Sequence, residues 1–237
     1  MTWLILHRTD ARWEAGERPS EPLLARVGSL VGALSREGVL RGAEGLRASR
    51  EGVRLTFEAG ARAVRPGPFP GGNELTAGFA VVRTATLDDA VAWATALAGV
   101  LGDVEVDVRP VTEPWDIGLA PVPEPLSTRR YMLAWKATAA FEAGLAPTQE
   151  QRNGLRALYT RMRRHGVLVA DVLLAPSGEA RRLDEGSVRD GPFAESKELV
   201  AGYVLIDVAT LDDATARARR YFDAVESSEV EVRRVVA

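Results

Sequence analysis

The 237-residue chain contains no cysteine, two histidines and, among its 30 basic residues, only two lysines. The absence of cysteine excludes disulfide bonds, thiolate metal ligands and a cysteine nucleophile. Two histidines without a local cluster of other ligands predict neither a metal site nor another cofactor. No apolar run approaches the ~18 residues of a membrane span. The first ten residues lack the charged start of a signal peptide, so we expect a cytoplasmic protein without a membrane partner.

The balance of charge also argues against nucleic acid as a partner. Acidic residues outnumber basic ones and give a formal net charge of −3, which provides no general attraction to a polyanion. Arginines gather in one predicted helix within residues 152–164, but no aromatic platform for stacking bases accompanies them. We therefore expect a small molecule rather than a nucleic acid as the ligand.

What the chain does contain is a long internal repeat. Residues 65–111 and 189–235 align without a gap at an offset of 124, and 21 of the 47 aligned positions are identical. Because solenoid proteins repeat every ~20–50 residues, this longer repeat indicates a duplicated domain. We predict a first unit at 1–111, a proline-rich linker at 112–128 and a second unit at 129–237.

Each half of the chain follows the order strand, helix, short strands, strand, helix, strand. The opening strands are predicted at 3–7 and 131–135, and both second helices begin at a threonine followed by two aspartates, as a capped helix start requires. This order is typical of an α+β fold with both helices on one face of an antiparallel sheet. Residues 201–208 are apolar on both strand faces, which predicts that the second face is covered by the other half.

The second half resembles the DGPF branch of the YCII-related superfamily. The resemblance is carried by RDGPFAESKELVAGYVLIDVATLDDA at 189–214, YMLAW at 131–135 and VEVRRV at 230–235. The first half is similar through RPGPF and TLDDA. The resemblance implies two tandem ferredoxin-like units that form an intrachain pseudo-dimeric α/β barrel, and further homo-oligomerisation stays open. Compact members of the superfamily are thought to use a His–Asp pair, whereas this chain has no histidine near the starts of its first helices.

Asp190 is the best candidate for a catalytic residue. It is the acidic residue of the DGPF motif, and the aligned residue of the first half is Pro66, which cannot transfer a proton. A carboxylate in a cleft can serve as a general base. The alternative is that Asp190 belongs to a turn, because Asp-Gly-Pro favours one.

Three further residues are candidates for substrate binding. Lys197 follows the DGPF motif in a polar run, where a cation could orient a ligand and where an exposed loop is the alternative. Tyr203 replaces Phe79 in a predicted strand, so its hydroxyl reaches either a pocket or the core. His7 ends the first strand, where it either titrates near neutral pH or sits as a structural histidine at the sheet edge.

Two classes of function follow from these observations. The first is a small-molecule enzyme of the YCII-like type, with acid–base chemistry in a cleft of the second unit. The second is a non-catalytic ligand-binding or regulatory accessory protein. The resemblance implies a sigma factor as its associate, because DGPF-type proteins often accompany alternative sigma factors.

Overall fold

The computed structural model describes residues 1–236, which form twelve β-strands, six α-helices and three short 3₁₀ helices. The strands are β1 (Thr2–Arg8), β2 (Leu40–Gly45), β3 (Val53–Glu58), β4 (Ala61–Pro66), β5 (Thr76–Thr84), β6 (Val104–Pro110), β7 (Arg129–Lys136), β8 (Leu168–Leu174), β9 (Arg181–Leu183), β10 (Val188–Asp190), β11 (Val200–Asp207) and β12 (Val230–Val236). The α-helices are α1 (Ala11–Glu14), α2 (Glu21–Arg36), α3 (Leu87–Leu101), α4 (Ala139–Glu142), α5 (Gln149–Arg164) and α6 (Leu211–Ala224). The 3₁₀ helices cover Ser49–Glu51, Pro114–Ile117 and Ser177–Glu179. None of the helices in this part of the chain has the length and apolar character needed to cross a membrane.

The described residues form two compact units, and each unit takes elements from both sequence repeats. Unit 1 contains Met1–Leu46, Gly71–Glu74 and Leu174–Ala237 as segments of the chain, and unit 2 contains Arg47–Pro70 and Leu75–Leu173. The compact units therefore cut across the repeats. The boundaries predicted at 1–111, 112–128 and 129–237 describe the sequence repeat and stay a prediction.

Unit 1 is a six-stranded antiparallel sheet with the order β2-β11-β1-β12-β9-β10. Strands β1 and β2 come from the first repeat and the other four from the second. The apolar sides of α2 and α6 pack on one face, with Leu34, Tyr221, Ile5, Val204 and Val232 in the core between helices and sheet. The α+β class with an antiparallel sheet, predicted from the element order, is confirmed for this unit.

Unit 2 has the same arrangement, but four of its strands come from the first repeat and two from the second. Its sheet order is β8-β5-β7-β6-β3-β4, in which β3 to β6 come from the first repeat and β7 and β8 from the second. Helices α3 and α5 cover one face, and their core includes Leu97, Leu158, Val106 and Leu133. Position by position, β7 of unit 2 occupies the place of β1 in unit 1.

Local sequence explains where the main helices begin and end. Thr86 and Thr210 accept hydrogen bonds from the backbone amides of Asp89 and Asp213, as predicted for capped helix starts. Helix α2 is followed by Gly38 at φ 72° and α5 by Gly166 at φ 67°. A left-handed residue after the last turn is the usual end of a helix and favours glycine, which explains where both helices end.

The first repeat has four more residues than the second before the Gly-Pro-Phe motif, and this difference lies in one hairpin. Strands β3 and β4 pair from Val53 to Pro66, whereas β9 and β10 pair from Arg181 to Asp190. A β-hairpin at the end of a sheet tolerates such a change because its turn lies at the surface. The repeats align at an offset of 128 before the turn, where Val53 matches Arg181, and at 124 after it, where Pro66 matches Asp190.

Candidate functional site

The sheet of unit 1 has an apolar face toward the helices and a charged face away from them. His7 on β1 contacts Tyr221 of α6 and therefore lies on the helix face. Leu6 lies opposite Tyr203 on β11 and Glu231 on β12, so these three side chains share the other face. Because side chains alternate along a strand, Arg8 joins them there.

Five charged residues form what we call the Glu231 cluster on this face: Arg8, Arg182, Glu229, Glu231 and Arg233. The carboxylate of Glu231 accepts hydrogen bonds from Arg8 Nη2 at 2.7 Å, Arg182 Nε at 2.8 Å and Arg233 Nη1 at 3.0 Å. Arg8, Glu231 and Arg233 expose 3% or less of their surface, and Arg182 exposes 7%. Such burial is tolerated only because the charges are paired.

Glu229 lies at the more exposed side of the cluster, with its side chain 17% exposed. Its Oε1 atom is 3.4 Å from Arg182 Nε and 3.9 Å from Arg8 Nε. It also pairs with Arg189 at the surface, at 3.0 Å. Glu229 is therefore the carboxylate of the cluster that reaches solvent.

The two carboxylates of the cluster differ in their pKa. Burial alone would raise the pKa of Glu231, but attraction to Arg8, Arg233 and Arg182 outweighs it and lowers the pKa to about 2. For Glu229, burial raises the pKa, and attraction to Arg182 and Arg8 does not overcome this effect. One carboxylate thus stays ionised as a structural charge, and the other is shifted toward holding a proton.

The Gly-Pro-Phe part of the DGPF motif supports the cluster from one side. The ring of Phe193 lies under the guanidinium of Arg182, with 4.0 Å between the guanidinium carbon and the ring centroid. The backbone amide of Phe193 donates to Ser177 Oγ at 2.9 Å. A Cβ atom on Gly191 would overlap the carbonyl oxygen of Ser177, so only glycine permits this approach. The motif therefore positions an aromatic surface for a buried arginine.

Unit 2 contains an equivalent set, the Asp107 cluster, formed by Arg54, Glu105, Asp107 and Lys136. Arg54 donates to both oxygens of Asp107, at 2.6 and 2.9 Å, and Lys136 Nζ lies 3.0 Å from the same carboxylate. Phe69 lies 4.6 Å from the guanidinium carbon of Arg54, and its amide donates to Ser49 Oγ. The duplication therefore preserved the paired carboxylate, the buried arginine and the aromatic ring against that arginine.

The two clusters differ in how completely their hydrogen bonds are satisfied. In unit 1, Nε and Nη1 of Arg8 and Nη2 of Arg182 are buried and have no hydrogen-bond partner among residues 1–236. In unit 2, none of the buried side-chain nitrogen and oxygen atoms of Arg54, Asp107 and Lys136 lacks a partner within the same described residues. The cluster of unit 1 thus has unused donors, and that of unit 2 does not.

Asp190 lies outside the Glu231 cluster. Its side chain on β10 is 71% exposed and forms an ion pair with Arg181 Nε at 2.7 Å; Arg181 also binds Asp212 at the start of α6. The carboxylate is thus held in a surface ion-pair network, and its role as acid or base stays a prediction.

The three predicted binding residues are not brought together. Lys197 is exposed and lies 3.5 Å from Glu195. Tyr203 is buried on the charged face of the sheet, the same face as the Glu231 cluster. His7 lies on the opposite face, where its Nδ1 is 2.7 Å from the Tyr221 hydroxyl. Burial and then the charge of Arg8 lower the pKa of His7 to about 4, so the ring is neutral at pH 7.

The predicted polar run after the motif does take part in the structure of unit 1. Glu74 donates its backbone amide to the carbonyl of Ser196 at 2.7 Å, and the Ser196 amide lies 3.4 Å from Asn73 Oδ1. Arg182 Nη1 donates to the carbonyl of Glu195 at 3.0 Å. The loop is therefore held against the Glu231 cluster by its backbone rather than by the Lys197 side chain.

The residues of the Glu231 cluster are absent from the sequence-based predictions, although a signal for them exists. On the last strand of each repeat, charged residues alternate with valines at 104–109 and 230–233, and the charges keep their sign in both copies. Arg8 and Lys136 are likewise both cations at the end of the first strand of their repeat. Charged residues retained on one face of two buried strands indicate a buried ion-pair cluster.

Ion pairing rather than metal binding dominates these sites. No group of three or more His, Asp or Glu side chains in residues 1–236 is arranged to hold a metal ion. The carboxylates of both clusters are instead occupied by arginine or lysine.

These features define an α+β protein with a duplicated domain and a charged cluster on the sheet of each unit. The YCII-related domain matches the chain twice, over residues 1–113 and 130–237. The chain therefore belongs to the YCII-related domain family, and the predicted tandem duplication is confirmed. No curated protein and no solved structure matches it.

Proposed function

We propose that this protein is a small-molecule enzyme whose acid–base chemistry takes place at the Glu231 cluster, with Glu229 as the proton-transferring residue. The observation that carries the proposal is the environment of the Glu229 carboxylate. This carboxylate has a raised pKa, lies beside the buried guanidinium groups of Arg8 and Arg182, and keeps 17% of its side chain exposed. A general acid or base needs a pKa near the working pH and access to the ligand.

Glu229 replaces Asp190 as the preferred candidate for physical reasons. The Asp190 carboxylate is 71% exposed and paired with Arg181 at the surface, whereas Glu229 lies beside two buried guanidinium groups. Glu229 comes from the same second repeat as Asp190, so the proposal keeps the chemistry on residues of that repeat. Within the same proposal, the two units, each built from both repeats, are ferredoxin-like units of an intrachain pseudo-dimeric α/β barrel.

The test is a turnover screen with a matched pair of variants. Wild-type protein is incubated with a library of small organic acids, and consumption is followed by mass spectrometry. Glu229→Gln should abolish any turnover found, because the amide cannot carry the proton. Glu105→Gln, the equivalent change in unit 2, should retain it. Turnover that survives Glu229→Gln would refute the proposal. A compound that binds but is never converted would favour the non-catalytic ligand-binding alternative.

A further inference from the structure

The unused donors of the Glu231 cluster belong to two guanidinium groups that share one carboxylate oxygen. Arg8 Nη2 and Arg182 Nε both bond the same oxygen of Glu231, at 2.7 and 2.8 Å, so their guanidinium groups are neighbours. Arg8 Nε, Arg8 Nη1 and Arg182 Nη2, which have no hydrogen-bond partner among residues 1–236, therefore belong to adjacent groups. A buried donor without a hydrogen-bond partner is energetically costly, so a group that accepts these hydrogen bonds would bind favourably.

The chemistry of these donors selects an oxyanion. A guanidinium presents its N–H groups in a planar fork that matches the two oxygens of a carboxylate. The three arginines carry three positive charges and the two carboxylates carry two negative ones, which leaves one positive charge when both are ionised. A monoanion balances this charge.

Unit 2 provides an internal comparison. The equivalent positions of unit 2, with Arg109 in the place of Arg233, carry the same formal charges, so charge alone does not distinguish the two units. The difference lies in the donors: Arg54 spends both Nε and Nη2 on Asp107, whereas Arg182 reaches Glu231 through Nε alone. Lys136, in the place of Arg8, directs its ammonium at Asp107. Arg8 and Arg182 of unit 1 therefore keep donors that can bind a ligand, whereas the donors of Arg54 and Lys136 in unit 2 are used within the protein.

Two neighbouring groups extend this site. The hydroxyl of Ser196 is buried without a hydrogen-bond partner among residues 1–236, one residue after the carbonyl that binds Arg182. The ring of Phe193 covers one face of the Arg182 guanidinium and adds an apolar wall. A ligand with a charged end and an apolar body suits such surroundings.

We propose that unit 1 binds a small organic carboxylate through Arg8 and Arg182, which makes carboxylic acids the substrate class of this protein. The inference deepens the proposed function and rests on it for the statement that the bound molecule is a substrate. The binding site itself stands on the unpaired donors and on the contrast with unit 2.

The experiment measures binding of benzoate and acetate to the full-length protein. Thermal unfolding is followed at constant ionic strength with each carboxylate and with its neutral analogue, benzamide or acetamide. A bound ligand raises the melting temperature by mass action, so the carboxylates should raise it and the amides should not. Equal shifts for a carboxylate and its amide, or no shift with either, would overturn the proposal.

Variants locate the binding to unit 1. Arg8→Lys introduces the residue that unit 2 carries at this position and should weaken benzoate binding at least tenfold. Lys136→Arg makes the reciprocal change in unit 2 and should leave benzoate binding at its wild-type strength. If Arg8→Lys does not fold, the arginine Nε–H resonances of the wild-type protein are followed by NMR during a benzoate titration. Movement of the Arg8 and Arg182 signals supports the site, and movement of neither overturns it.

The two proposals fail in distinguishable ways. Glu229→Gln should still bind benzoate, because the unpaired donors belong to the arginines. Carboxylate binding with turnover that is insensitive to Glu229→Gln would refute the proposed proton transfer and leave the carboxylate site standing. The opposite result is turnover that depends on Glu229 in a protein that does not distinguish benzoate from benzamide. It would refute the carboxylate site and leave the proposed proton transfer standing.

Discussion

Replacing Glu231 by glutamine should destabilise the protein strongly. The change keeps the shape of the side chain but removes the negative charge that three buried arginines share. Removing one partner of a buried ion pair typically costs about 3–5 kcal/mol, because the remaining charges stay buried without compensation.

The lowered pKa of Glu231 expresses the same interactions as a dependence of stability on pH. The folded-state pKa is about 2 against an ordinary value of 4.5, a difference worth roughly 3 kcal/mol. Because the folded value is the lower one, this contribution is complete above about pH 4.5 and is lost as the pH falls toward 2. The gap between wild type and Glu231→Gln should therefore be largest at neutral pH and should shrink in acid.

The assay is urea unfolding of both proteins at pH 7 and pH 3, with Glu226→Gln as the control. Glu226 forms an ion pair with Arg26 at the same 2.7 Å, but its side chain is 50% exposed. An exposed pair contributes about 0–1 kcal/mol, so the control should stay close to wild type. A loss below about 1 kcal/mol at pH 7 for Glu231→Gln would refute the reasoning, given the cost expected for a buried pair. A gap that is the same at both pH values would refute it equally.

Three further predictions concern the motif, the histidine and the exchange of elements between repeats. Gly191→Ala should cost at least about 2 kcal/mol in unfolding experiments, because its Cβ overlaps a backbone carbonyl, whereas Gly178→Ala meets no atom within 4 Å and should be near neutral. His7→Asn should reduce the loss of stability that occurs as the pH falls from 6.5 to 4. Over this range His7 takes up a proton in the unfolded chain but not in the folded protein, where its pKa is about 4. An unchanged dependence of stability on pH would contradict this. Separately produced segments 1–113 and 130–237 should give native circular dichroism only when mixed, because each unit needs strands from both; a folded monomer of either segment would contradict the exchange.

The sequence predicted the elements well because their signals are local. Thr86 and Thr210 cap helices by contacts within one turn, and Gly38 and Gly166 end helices through their own backbone angle. The repeat itself is visible by alignment. Such features depend on neighbours in the chain and not on the tertiary partner.

The exchange of strands between repeats had no such signal. The alternation of apolar side chains in Trp3–His7 is the same whether β1 pairs with strands of its own repeat or with those of the other repeat. Both pairings bury the same residues and satisfy the same backbone groups. The choice depends on long-range packing, which a single sequence does not display.

The site was difficult to predict for a related reason. Asp190 was the predicted catalytic residue because the other copy has Pro66 at the aligned position, yet it lies in a surface ion pair with Arg181. The residues of the Glu231 cluster are nearly the same in both copies, and their difference appears only in hydrogen bonding. Arg8 against Lys136 is a conservative change in charge, but an ammonium does not replace a guanidinium fork.

The most direct test of the central claim is a crystal structure of the wild-type protein grown with benzoate. We predict the benzoate carboxylate within hydrogen-bonding distance of Arg8 Nη1 and Arg182 Nη2 in unit 1, and none bound to Arg54 and Lys136 in unit 2. Benzoate bound to the Asp107 cluster instead, or only water between Arg8 and Arg182, would contradict it.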